Sequence, residues 1–71
     1  MQNGTRLSGL KEIAAYYRCS ENKVLALIRT EGFPAVKIGG TWESDKILIN
    51  KWHRRQIEMS GSSLDQEHAR S

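Results

Sequence analysis

Two short helical patterns separated by only three residues constrain this chain more than any other feature. From Leu10 to Tyr17 apolar residues recur at i, i+3, i+4 and i+7, the spacing that gathers side chains on one face of a helix. After Arg18-Cys19-Ser20 the same spacing returns in three apolar residues, Val24, Leu27 and Ile28. Because the connection is so short, the two predicted helices must cross steeply and share one core.

The residues at the ends of the two predicted helices are typical of helix boundaries. Gly9 can cap the first helix, and Glu12 can reach back to the free amides of its first turn. Ser20 is a good N-cap for the second helix, which is expected to end near Glu31. There Gly32 can adopt the left-handed conformation, and the proline that follows at position 34 blocks further helix.

A short β-hairpin is predicted after the second helix, from the alternation of Val36 and Ile38 before Gly39-Gly40. A two-residue loop would pair Trp42 with Lys37 and turn Trp42 away from the face of Val36 and Ile38. A three-residue loop from Gly39 to Thr41 would instead pair Ile38 with Trp42 and place all three apolar side chains on one buried face. We favour the three-residue loop, which leaves Lys37 and Glu43 directed outward.

A third helix is expected to follow the hairpin, capped by Ser44 or Asp45 and running to about Met59. Its inner side would carry Leu48, Ile49 and Trp52. The predicted organisation is a flexible N-terminus at residues 1–6, a folded domain at residues 7–59 and a disordered polar tail at residues 60–71. The fold class is therefore mainly α with a small β-hairpin.

Composition excludes several classes of function. The apolar runs are shorter than a membrane span, and the first residues lack the apolar core of a signal peptide, so a cytoplasmic protein is expected. One cysteine cannot form an internal disulfide, and His53 and His68 do not have metal-ligand spacing. No nucleophile, paired acid or phosphate loop is present at a recognisable spacing, so the chain is not expected to be an enzyme or to need a cofactor.

The charge of the chain modestly favours nucleic acid as a partner. Net charge is +3, and residues 1–59 hold ten Lys or Arg against six Asp or Glu, so the surplus belongs to the folded part. Four basic or titratable residues cluster in the predicted third helix, Lys51, His53, Arg54 and Arg55. In the last turns of that helix this cluster would equally suit the helix dipole or a phosphate.

The whole pattern resembles the excisionase and MerR-like family of winged helix-turn-helix DNA-binding proteins. The resemblance rests on Leu10–Tyr17 with Cys19-Ser20, on Val24 and Leu27-Ile28, on Gly32–Trp42 and on Trp52, and it covers about residues 7–56. It implies three helices plus a wing, a bacterial or phage origin and association with the nucleoid. Small phage or mobile-element regulators and excisionases belong to this family, and so do the DNA-binding domains of terminase small subunits.

The resemblance implies that the second helix enters the major groove of double-stranded DNA and that the wing lies on the backbone. The residues then expected to contact DNA are Asn22, Lys23, Ala26 and Arg29 on the helix, and Lys37 and Thr41 on the wing. A recombinase or another phage protein is a further partner that the family suggests, whereas no membrane or small-molecule ligand is expected.

Departures from the family pattern weaken the implied contact with phosphate. Related proteins often carry arginine where this chain has four other residues, Glu21, Ala26, Thr41 and Glu43. Arg18 stands where the family usually has glycine, and a left-handed side chain there would cost about 1 kcal/mol. A protein-interaction module that uses Leu25 and Ile57 is the alternative from another functional class.

Overall fold

A computed structural model of the protein describes residues 4–68, with side chains described for residues 4–60. The elements follow in the order β1 (Arg6–Ser8), α1 (Leu10–Tyr17), α2 (Glu21–Glu31), β2 (Ala35–Ile38), β3 (Thr41–Asp45) and α3 (Lys46–His68). The strands form an antiparallel sheet in the order β1-β3-β2. Three helices and this sheet make a small compact domain.

The ends of α1 and α2 confirm the predicted boundaries. Ser20 caps α2 by accepting a hydrogen bond from the Lys23 amide at 3.1 Å, and Gly32 ends it in the left-handed conformation with φ 72°. Gly9 precedes α1, and the Glu12 carboxylate accepts from the Ser8 amide at 2.9 Å. Glu12 thus reaches one residue further back than in a standard capping box, because the Gly9 amide donates to the Trp42 carbonyl.

The hairpin has a two-residue loop, so the predicted three-residue loop is wrong. Ile38 pairs with Thr41, and Lys37 pairs with Trp42. Gly39 and Gly40 have φ values of 58° and 84°, and positive φ at both central residues is what a type I′ turn requires. This turn matches the natural twist of the strands, and that preference outweighs the burial of one more apolar pair.

The register also reverses the expected faces of the hairpin. Trp42 is half-buried and packs against the core, whereas Val36 and Ile38 are 58% and 61% exposed. Because residues directly opposite each other share a face, Lys37 lies on the face of Trp42, and Glu43 lies on the opposite face with Val36. Lys37 and Glu43 therefore do not share an outward face.

A third strand extends the sheet beyond the predicted hairpin. Leu7 is buried and pairs with Ser44, and Arg6 pairs with Asp45. The strand begins at Arg6, the last residue of the range predicted as a flexible N-terminus, while residues 1–3 lie outside the described part. A strand of only three residues is too short to give a recognisable alternation of apolar and polar residues.

The core lies between the helices and the inner face of the sheet. Ile13 and Val24 are completely buried, and they anchor α1 and α2 to each other. An edge-to-face aromatic cluster closes one side, with ring centroids 5.1 Å apart for Phe33 and Trp52 and 5.3 Å apart for Tyr17 and Phe33. The Trp52 indole also donates to the Glu31 carbonyl at 3.1 Å, which fixes α3 to the end of α2.

The third helix differs from its prediction in length and in one inner residue. Asp45 provides the cap by accepting from the Ile47 amide at 2.8 Å, and Ile49 and Trp52 are buried as expected. Leu48 is 52% exposed and is not an inner residue. The helix continues to His68, beyond its predicted end near Met59 and into the range predicted as a disordered tail, and residues 69–71 are not described. Glycine in a helix costs only about 1 kcal/mol, and Gly61 does not end this one.

Candidate nucleic-acid interface

Four of the six predicted DNA-binding residues lie together on the exposed side of α2. Asn22, Lys23, Ala26 and Arg29 are all exposed, and the steps of three and four residues from Asn22 to Ala26 to Arg29 place these three along one face. Val24 is fully buried on the opposite side. The packing of α2 on α1 therefore leaves this face in contact with solvent.

The charges on this face of α2 are not neutralised by neighbours. Among the described residues the ion pair is that of Arg6 with Glu43, and neither Lys23 nor Arg29 takes part in one. Ser20 satisfies the Lys23 backbone amide, which fixes the first turn without engaging the lysine side chain. Both basic side chains remain available to an anionic partner. The exposed Glu21 in the first turn of α2 would repel such a partner.

The two predicted hairpin residues are not brought together. Lys37 places its ammonium 5.5 Å from the centroid of the Trp42 ring, a cation–π contact on the inner face of the hairpin. Thr41 lies on the other face, opposite Ile38. Both residues are exposed, but they can meet one ligand only at the tip of the hairpin, where the two glycines keep the backbone narrow.

Glu43 holds the sheet together on its outer face. Its carboxylate accepts from the Ser8 hydroxyl at 3.0 Å and pairs with the Arg6 guanidinium at 3.5 Å, so it links β3 to β1. The Glu43 side chain is only 18% exposed. Glutamate at this position therefore stabilises the sheet. An arginine here would lose both contacts and would place a second positive charge next to Arg6.

A shallow pocket between α1 and α3, whose lining includes several hydrogen-bonding side chains, was not foreseen from the sequence. Its volume is about 520 Å³, and its lining residues are Tyr16, Tyr17, Arg18, Asn50 and His53. The Tyr16 hydroxyl donates to the Asn50 carboxamide oxygen at 2.9 Å, and the Tyr17 hydroxyl lies 2.8 Å from Nδ1 of His53. The paired tyrosines and the i, i+3 spacing of Asn50 and His53 are the signal that sequence reasoning passed over.

Burial raises the pKa of the Tyr17 phenol above its ordinary value, with a smaller contribution from Cys19. The phenol therefore stays neutral near pH 7 and adds no negative charge to the pocket. Cys19 itself is a free, half-buried thiol packed against the core, as a structural plug would be.

The basic run of α3 lies in the middle of the helix, because α3 continues to His68. The helix dipole acts within the last turn, so it does not account for Lys51, Arg54 and Arg55. These three residues are exposed along the helix.

Comparison of the chain with protein-family models, with curated proteins and with solved structures finds no match. In the described part of the chain, no helix combines the length and the apolar character that crossing a bilayer demands.

Proposed function

We propose that the protein is a winged helix-turn-helix that binds double-stranded DNA in a sequence-specific manner, with α2 as the recognition helix. The observation that carries this proposal is the exposed face of α2, which presents Asn22, Lys23, Ala26 and Arg29. Among the described residues, neither of its two basic side chains takes part in an ion pair. The short connection from α1 to α2 and the hairpin that follows support the assignment to this class of fold.

The residue types on this face suit the major groove. That groove is about 12 Å wide and admits a helix, and each base pair presents a distinct pattern of donors and acceptors there. The Asn22 carboxamide can pair bidentately with adenine, and Lys23 and Arg29 can donate to guanine or to phosphate. Ala26 lies between them and is small enough to let the helix approach the base edges.

The hairpin would serve as the wing on the neighbouring backbone. Lys37 supplies a positive charge, and Thr41 supplies a hydroxyl that can donate to a phosphate oxygen. Because the two side chains lie on opposite faces of the hairpin, only its tip can bring both of them to the same strand of DNA.

The role that fits such an interface is that of a small regulator or excisionase-like protein of a phage or mobile element. It would be bound to the nucleoid in the cytoplasm. A recombinase or another phage protein would then be its protein partner. The DNA-binding domain of a terminase small subunit is the nearest alternative, because the same interface would serve it.

Selection from random duplexes, followed by binding to the selected site and to a mismatched site, tests the proposal. Replacing Asn22 with alanine should weaken binding to the selected site by about 1 to 3 kcal/mol and relax the preference at one base pair. Lys23→Ala should weaken binding to both sites alike if the lysine meets phosphate. Lys11→Ala, on the exposed surface of α1, is the control of equal charge. No enrichment of any sequence, together with unchanged binding of both α2 variants, would contradict the proposal.

A protein-interaction module is the second candidate, and an apolar groove favours it. The groove has a volume of about 450 Å³ and is lined by Pro34, Val36 and Leu48 among others. Val36 and Leu48 are more than half exposed, as is Ile57 further along α3, whereas Leu25 is half-buried. A partner here would contact β2 and α3 rather than α2, so the α2 variants would leave its binding unchanged.

A further inference from the structure

The pocket between α1 and α3 presents hydrogen-bond donors in fixed orientations. The Asn50 carboxamide oxygen is engaged by the Tyr16 hydroxyl, so the amide nitrogen of Asn50 is directed away from that bond. Within the described residues no acceptor engages this nitrogen. The tyrosine therefore determines which end of the Asn50 side chain is available to a ligand.

His53 is oriented in the same way by the neighbouring tyrosine. Nδ1 of His53 is bound to the Tyr17 hydroxyl, which leaves Nε2 as the nitrogen that a ligand can meet. When the hydroxyl donates to Nδ1, the proton of the neutral imidazole is on Nε2, and in the imidazolium form Nε2 is also a donor. A ligand that accepts a hydrogen bond would therefore favour the forms of His53 in which Nε2 carries a proton.

Arg18 completes the lining in a strained conformation. It has φ 60° and ψ 48°, and among the described residues it is the one non-glycine residue with positive φ. Such residues collect at functional sites, where the strain is retained for the position that it gives to a side chain. Glycine would occupy this turn without strain, whereas the arginine adds a positive charge to the lining of the pocket.

The charged side chains that the structure places at the pocket are basic. Arg18 lines it, and Lys46 places its ammonium 5.5 Å from the centroid of the Tyr16 ring at its edge. No carboxylate is among the lining residues of the described pocket.

We propose that the pocket formed by Arg18, Asn50 and His53 is a phosphate site, occupied by a backbone phosphate of the DNA that α2 binds. The arginine would supply the charge, and the Asn50 amide and His53 Nε2 would each donate one hydrogen bond to a phosphate oxygen. Arg18 lies two residues before the Ser20 cap of α2, so the site adjoins the start of the recognition helix. The DNA source of this phosphate rests on the proposed function, whereas free phosphate would use the same donors.

The sharpest variant is Asn50→Asp, which keeps the oxygen that accepts from Tyr16 but replaces the donor nitrogen by a negatively charged oxygen. It should weaken binding to all duplexes by about tenfold or more, because one charge-assisted hydrogen bond is lost and repulsion is added. Lys11→Gln is the matched control, since it makes the same change in net charge at an exposed position of α1 outside the pocket.

A second pair of variants separates the charge of Arg18 from its backbone. Asparagine tolerates the left-handed conformation, so Arg18→Asn should fold while removing the charge. It should lower the slope of log affinity against log salt by about one unit, and Arg18→Lys should retain most of the slope. Thermal unfolding of each variant verifies that the comparison is made between folded proteins.

Inorganic phosphate is the probe that does not depend on DNA. In NMR spectra of the full chain, it should shift the Asn50 side-chain amide and the His53 ring, and Asn50→Asp should abolish the shift of the His53 ring. DNA binding by the Asn50→Asp and Arg18→Asn variants at wild-type strength, while Lys23→Ala weakens it, would overturn the inference and leave the proposed function standing. If the wild type binds no DNA, the phosphate spectra decide: shifts at Asn50 and His53 support a site for free phosphate, and their absence overturns the inference.

Discussion

Tyr17 of α1 contacts three aromatic or imidazole rings and joins α1 to α3. Its ring meets Phe33, Trp52 and His53 edge-to-face, with centroid distances of 5.3, 5.9 and 5.6 Å. Its hydroxyl binds Nδ1 of the same His53. Helical spacing identified Tyr17 as an inner residue of α1, but it carries no information about the hydroxyl. The partner of that hydroxyl depends on where α3 crosses α1, which is a tertiary property.

The raised pKa of Tyr17 predicts a loss of stability at alkaline pH. Since the folded protein holds this proton more tightly than the unfolded chain, the stabilisation is complete below the ordinary pKa near 10 and is lost as pH rises through the folded value. The free energy of unfolding, measured by urea denaturation between pH 8 and 11, should therefore fall above about pH 10. Tyr17→Phe should reduce this fall, and the control Tyr16→Phe should retain it. Parallel pH profiles for the wild type and Tyr17→Phe would contradict the assignment.

At the scale of the element, the two helices that begin the domain and the presence of the hairpin were predictable, whereas the register of the hairpin and the third strand were not. Caps and apolar spacing are local, and they placed α1 and α2 within their observed limits. The register of the hairpin depended on a choice between turn preference and apolar burial. The Gly39-Gly40 pair is itself a strong signal for a two-residue turn with positive φ. In this chain that turn preference determines the register, and the possible burial of Val36 and Ile38 does not.

The observed register predicts opposite effects for two apolar residues of the hairpin. Trp42→Ala should lower the free energy of unfolding by about 2 kcal/mol, less than for a fully buried tryptophan because Trp42 is half-exposed. Ile38→Ala, on the outer face, should change it by about 0.5 kcal/mol or less. Denaturant unfolding of the two variants measures both effects. A larger loss for Ile38→Ala would restore the three-residue loop.

At the scale of the whole molecule, α2 and the apolar groove offer two different surfaces to two kinds of partner. The face of α2 is exposed, small or polar, and basic at Lys23 and Arg29, whereas the groove beside β2 is lined by Val36 and Leu48. The four α2 positions were predictable because helical geometry alone brings them together. The phosphate pocket was not, because Arg18 and Asn50 are distant in sequence and meet only through the packing of α1 on α3.

The central claim is that the exposed face of α2 binds double-stranded DNA. The most direct measurement is an NMR titration of the isotope-labelled full chain with a random-sequence duplex of about 20 base pairs, first at low salt and then as salt is raised. The largest shifts should fall on residues 22–29 and at the hairpin tip, and they should disappear with added salt as counterions compete for the phosphates. An absence of shifts at low salt, or shifts confined to Val36, Ile38 and Leu48, would contradict it.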